Sequence, residues 1–134
     1  FGVEGDAQTS VFVLRNQTTD ATTTSLFLDG SGIRIAVPSS GAMTFKVTIV
    51  GKAIGTALSI ANVSGCQITG TIANNGGTAT IIGTNITQIL NSPLGWGAAP
   101  TVTGNGANID IRVTGAGLTS IDWVARVETV EVIF

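Results

Sequence analysis

The stretch IDWVARVETVEVIF, residues 121–134, decides the fold class and raises a question of phase. From Ile121 to Val127 the apolar side chains stand at odd positions (Ile121, Trp123, Ala125, Val127), while Asp122, Arg126 and Glu128 stand at even ones. Alternation of this kind marks a strand with one face buried. From Val130 onward the apolar set is Val130, Val132 and Phe134, so the hydrophobic face moves to even positions with no Gly or Pro to break the strand. Such a shift predicts a β-bulge or a bend between Val127 and Val130. The alternative is that even-numbered residues face a neighbouring subunit.

Working outward, the same alternation recurs. In FKVTI, Phe45, Val47 and Ile49 share a face; in IDIRV, Ile109, Ile111 and Val113; in IRIAV, Ile33, Ile35 and Val37. Each is the pattern of an antiparallel strand with one wet side. Turn chemistry connects the runs at Asp29-Gly30-Ser31-Gly32, at Asn74-Asn75-Gly76-Gly77 and at Gly115-Ala116-Gly117. Helical periodicity is missing, apart from weak helical potential in ITQIL at residues 86–90. The count predicts an all-β antiparallel sandwich, jelly-roll-like, of eight to ten short strands, with residues 1–134 forming a single domain. Two runs are apolar on both faces: SVFVL, with Val11 and Val13 opposite Phe12 and Leu14, and SLFL, with Phe27 opposite Leu26 and Leu28. Their second faces are expected to meet loops, another subunit or further chain.

Charged residues make up 10% of the chain and hydrophobic ones 43%, against roughly 25% charged in an average soluble protein. So little charge predicts that part of the surface is covered by identical copies or by the rest of a larger assembly. A net charge of −2 without any run of Lys or Arg argues against nucleic acid. No apolar stretch is long enough to suggest membrane insertion, and the start FGVEGD lacks the basic-then-apolar pattern of a secretory signal. Beginning at Phe1 rather than Met, the chain reads as a fragment of a longer polypeptide.

Chemistry-bearing residues are sparse. Histidine is absent, and Cys66 is the lone cysteine, expected as a small buried side chain; no metal site and no cofactor are expected. The glycine-rich GNGAN and GAGLTS segments precede strands rather than helices, so they read as turns instead of phosphate loops. Asp20, Asp29, Asp110, Asp122, Glu128 and Glu131 read as turn formers or solvated charges on strand faces, which predicts no catalytic residue and no enzyme. Three Asn-X-Ser/Thr sequons, at Asn16, Asn62 and Asn85, are what chance supplies in a chain this rich in Asn and Thr. Trp123, inside an alternating strand, is expected in the core. Trp96, flanked by glycines in SPLGWGAAP, is either a plug at the end of the sandwich or a platform for a sugar ring. With the amides of Asn105 and Asn108 nearby in sequence, it forms the candidate ligand-binding set.

Taken together, LFLDG (26–30), MTFKVTIVG (43–51), Trp96, IRVTG (111–115) and IDWVARVETVEV (121–132) resemble a β-rich domain of tail-fibre, tailspike and other virion structural proteins of tailed bacteriophages. The resemblance implies a β-sandwich near the C-terminus of a trimeric fibre, located in the virion, that often contacts the host surface. Two functions remain open: a receptor-binding tip that recognises a bacterial surface glycan through loops at residues 94–98 and 104–108, or a structural trimerisation or decoration module without a ligand. A trimeric jelly roll of the C1q or tumour-necrosis-factor kind has no matching motif here.

Overall fold

The structure is a computed structural model that describes residues 7–55, 62–90, 96 and 99–133. Among them nine strands follow in order: β1 (Ala7–Thr18), β2 (Thr23–Ser25), β3 (Ile35–Ala36), β4 (Gly41–Ala53), β5 (Val63–Asn75), β6 (Thr78–Leu90), β7 (Thr101–Asn105), β8 (Asn108–Thr114) and β9 (Ile121–Ile133). All pairings are antiparallel. A large sheet runs β1-β9-β4-β5-β6. The small sheet is centred on β8, with β7 along one side and β2 and β3 in succession along the other. The all-β antiparallel sandwich expected from the sequence is what forms. No helix of the described residues is long and apolar enough to cross a membrane.

The core lies between the sheets. The large sheet contributes Leu14, Phe45, Val47, Ile49, Ile68, Trp123 and Val127, and the small sheet contributes Leu26, Ile35, Ile109, Ile111 and Val113. The FKVTI and IDIRV alternations predicted Phe45, Val47 and Ile49 of the one sheet and Ile109, Ile111 and Val113 of the other. At the β5–β6 hairpin, Gly76 and Gly77 take φ of 66° and 96°, the left-handed region that this two-residue turn demands. Asn74 fastens that turn, accepting from the Gly77 amide at 2.9 Å and donating to the Val37 carbonyl at 2.8 Å. Backbone bonds also lace the two sheets together at both edges. Arg15 and Phe27 exchange bonds of 2.8 and 3.1 Å at one edge, and the Ala79 amide donates to the Gly106 carbonyl at 2.7 Å at the other.

The expected bulge in β9 is absent. Its ladders with β1 and β4 run unbroken, and its burial alternates from Ile121 to Glu131 without a change of phase. Thr129 and Glu131 take the inward positions, 2% and 5% exposed, while Val130 points outward at 63%. The physical reason is that β9 is bonded on both sides, so a bulge would disrupt two ladders at once. Inward polar groups served by β1 avoid that disruption: the Glu131 carboxylate accepts from Gln8 Nε2 at 2.7 Å and from Ser10 Oγ at 3.1 Å. Register shifts occur instead between β5 and β6, at Gly65/Cys66 and Thr71/Ile72.

Two further expectations change. Of IRIAV only Ile35 and Ala36 pair as strand, and Ile33 is exposed, because the Asp29 carboxylate takes the amides of Ser31, Gly32 and Ile33 and curls the chain into a loop. ITQIL continues β6 rather than forming a helix. Cys66 is buried as a free thiol, and burial pushes its pKa up.

Candidate functional site

Trp96 is half-buried and forms an isolated bridge with Ala116. Its ring meets Trp123 edge to face, centroids 5.6 Å apart at 70°, a favoured aromatic geometry. Trp123 is itself buried, donates Nε1–H to Thr18 Oγ1 at 2.9 Å, and lies flat over Gly51, where a Cβ would stand 2.5 Å from the indole. Trp96 therefore packs against the core at the end of the sandwich where β9 begins. The other residues of the 94–98 loop lie outside the described residues.

Asn105 and Asn108 stand directly opposite each other at the β7–β8 hairpin. Since Ile109, Ile111 and Val113 point into the core, Asn108, Asp110, Arg112 and Thr114 point away from it, and so do their cross-strand partners Asn105, Thr103 and Thr101. Ala116, the partner of Trp96, lies eight positions beyond Asn108, roughly 26 Å along extended chain. The structure thus brings Asn105 and Asn108 together and leaves Trp96 at the far end of β8.

Beside the asparagines lie three charged residues that sequence reasoning did not select. Asp110, expected to be solvated, is 5% exposed. Arg34 donates from Nε to Asp110 Oδ1 at 3.2 Å and from its terminal nitrogen to Ser25 Oγ at 3.3 Å, with its guanidinium 4.9 Å above the Phe27 ring. This is where the second face of SLFL goes: Phe27 turns outward under an arginine. Arg112 approaches Asp110 from the other side at 3.9 Å, too long for a hydrogen bond, and its buried Nε has no hydrogen-bond partner. The available signal was the charge at alternate positions of IRIAV and IDIRV, which has meaning only once β3 is known to pair with β8.

The outer face of the large sheet is the other open surface. Val11 and Val13 of SVFVL are 57% and 54% exposed there, with Val50, Val124 and Val130 on the same face and threonines 9, 44, 48, 69 and 71 among them. Its charges include Lys46, which stands opposite Glu128, and Arg126, which pairs with Glu128.

Each described carboxylate has a partner. Asp20 lies against the hydroxyl and the amide of Thr22, which hold its carboxyl below the usual range, and Asp29 accepts the three amides of its loop, which hold it far below. Asp122 accepts from Gln17 at 3.0 Å, Glu128 pairs with Arg126, Asp110 with Arg34, and Glu131 with Gln8 and Ser10. Among the described residues no group of three His, Cys, Asp or Glu side chains is placed to hold a metal ion.

No protein-family model matches the chain, and no curated protein does. Among solved structures it is similar to part of the tailspike protein gp49 from Acinetobacter baumannii bacteriophage Fri1, a capsular polysaccharide depolymerase. The identity is 13%, the TM-score 0.52, and the match covers 96% of this chain and 18% of that one. A second similar structure, the tailspike protein of Acinetobacter baumannii phage AM24, gives 12% identity and a TM-score of 0.44 over 91% of this chain and 26% of that one. The chain spans about a fifth of the first tailspike, and the likeness is one of fold.

Proposed function

We propose that this chain is a non-enzymatic structural module of a phage tail fibre or tailspike in the virion. In this reading it assembles as a homotrimer through the outer face of its large sheet and contributes to recognition of a bacterial surface glycan. The observation that carries the reading is that outer face: a five-stranded surface on which Val11, Val13, Val50, Val124 and Val130 stand exposed among threonines. Five exposed valines on one sheet face of a chain with 10% charged residues, with Lys46, Arg126 and Glu128 available for pairing between copies, fit contact of the chain with itself. The likeness of fold to a fifth of a tailspike supports the parent class. The non-enzymatic part rests on the described carboxylates, each engaged in a turn, a salt bridge or a hydrogen bond rather than facing another across a cleft.

The test is light scattering on the chain at micromolar concentration and near-neutral pH. The expected mass is three times 13.5 kDa, and Val130→Lys is expected to yield monomers while leaving the melting transition of the fold in place. A monomeric parent chain overturns the assembly reading. For the glycan, adsorption to bacterial cells and binding to a glycan array are the measurements; a trimer that binds no glycan would leave the structural role alone.

A further inference from the structure

The outer face of the small sheet carries more unspent hydrogen-bonding capacity than a solvated strand face needs. Two of the chain's six cations, Arg34 and Arg112, converge there on one carboxylate. Asp110, nine-tenths and more buried, balances one of them and leaves the cluster with a positive charge on a protein whose net charge is −2. The two arginines are held differently. Arg34 is fixed in plane by Asp110, by Ser25 and by the Phe27 ring beneath it. Arg112 has no hydrogen bond to Asp110, its Nε is buried without a partner, and 43% of its side chain is open to solvent. Its Nε is turned inward toward Asp110, so the fork left for an incoming anion is the pair of terminal nitrogens, which a carboxylate matches with two parallel bonds. Asp110 and Arg34 hold the rim against which that anion docks, so the site is built before the ligand arrives.

The rest of the face specifies what carries the anion. Next to Arg112 the register sets Thr101 opposite it, then Thr103 opposite Asp110, then Asn105 opposite Asn108. Like-facing positions repeat at about 7 Å along a strand, so the row runs for some 13–14 Å and offers hydroxyls and amides along a length that several sugar rings would span. A phosphate or sulfate alone would use only the arginine end. We infer that the outer face of the small sheet binds an acidic polysaccharide, with Arg112 taking the carboxylate of a uronic-acid residue and Asn105, Asn108 and Thr103 taking hydroxyls of the adjoining sugars. This deepens the glycan part of the function proposed above and rests on it. It differs from the sequence-based grouping of Asn105 and Asn108 with a sugar platform at Trp96, because the asparagines share their face with arginines and not with that indole.

The probe is a defined oligogalacturonate titrated into the full chain by calorimetry at low and at physiological salt, with a neutral dextran oligomer of equal length and a sulfated heparin oligomer beside it. Oligogalacturonate is expected to bind with millimolar to high-micromolar affinity, dextran at least tenfold more weakly. Arg112→Gln is expected to lower uronate affinity tenfold or more, Arg112→Lys to keep part of it by charge without the fork, and Asn108→Ala to lower it about threefold. These side chains are partly exposed, so the variants should fold, and circular dichroism and melting verify that they do. Tight binding of heparin with weak binding of oligogalacturonate, lost in salt and indifferent to Asn108, would mean a mere anion patch and overturn the inference. Binding of dextran in preference to uronate overturns it too but leaves glycan recognition standing. A monomer that still binds uronate through Arg112 would break the trimer reading and leave this site intact. No binding of any oligomer by a folded trimer rejects the site and the glycan reading together.

Discussion

In its first half β9 turns Ile121, Trp123, Ala125 and Val127 toward the core; in its second half it turns in Thr129 and Glu131, while Val130 and Val132 face out. Both halves belong to one ladder, bonded to the same two neighbours without a slip. Backbone pairing, and not side-chain hydropathy, sets which residues point inward once a strand is central. In the first half the two agree. In the second they conflict, and the backbone prevails because a bulge would break bonds on both sides, whereas an inward Glu131 finds two donors on β1. The conflict leaves valines on the surface, the feature on which the assembly reading depends.

Substitutions in each half separate the two contributions. Trp123→Ala in the first half is expected to cost about 3–5 kcal/mol, measured by denaturant unfolding, because it removes the indole packed over Gly51 and against Trp96. A melting temperature within a degree or two of the parent would refute that assignment. Glu131→Ala in the second half is expected to cost only about 1–2 kcal/mol, since Gln8 is exposed and turns to water while Ser10 loses an acceptor. If it cost as much as Trp123→Ala, the polar end would be as structural as the apolar one.

A finer probe is Thr129, whose buried hydroxyl has no hydrogen-bond partner. Thr129→Val keeps the shape and removes the unsatisfied oxygen, so stabilisation by about 1 kcal/mol is expected; destabilisation in the same unfolding assay would show that the hydroxyl has a partner in solution. The smallest effect lies outside β9, in the loop closed by Asp29. Its carboxyl is held far below the usual value by three backbone amides, so the loop's extra stability is present above the ordinary carboxylate pKa of about 3.9 and fades as pH falls through the depressed folded value. Amide exchange at Ser31, Gly32 and Ile33, once corrected for its intrinsic pH dependence, should rise toward acid in the parent, and in Asp29→Asn should be faster and independent of pH across that range. A parent loop indifferent to acid would remove the carboxylate from the account.

Much of the fold was legible because alternation in FKVTI, IDIRV and IDWVARV is a local property: a strand buried on one face must write its period of two into the sequence. Trp123 could be placed in the core for the same reason, and the Asn-Asn-Gly-Gly hairpin from turn chemistry alone. Where pairing partners decide, local reading ran out. The shift after Val127 looked like a bulge since nothing in residues 128–134 reveals that β1 and β4 flank them. Asp110 looked solvated because nothing near residue 110 announces Arg34, 76 positions away, reaching its carboxylate. Trp96 and Asn108, close in sequence, stand at opposite ends of β8, while Arg34 and Arg112, distant in sequence, meet. By itself the sequence determined the class, the turns and the inward sets of β4, β8 and the first half of β9; tertiary structure decided the strand order, the polar interior at the end of β9 and the company kept by each charge, because long-range register is set by the sum of cross-strand bonds and not by any one strand.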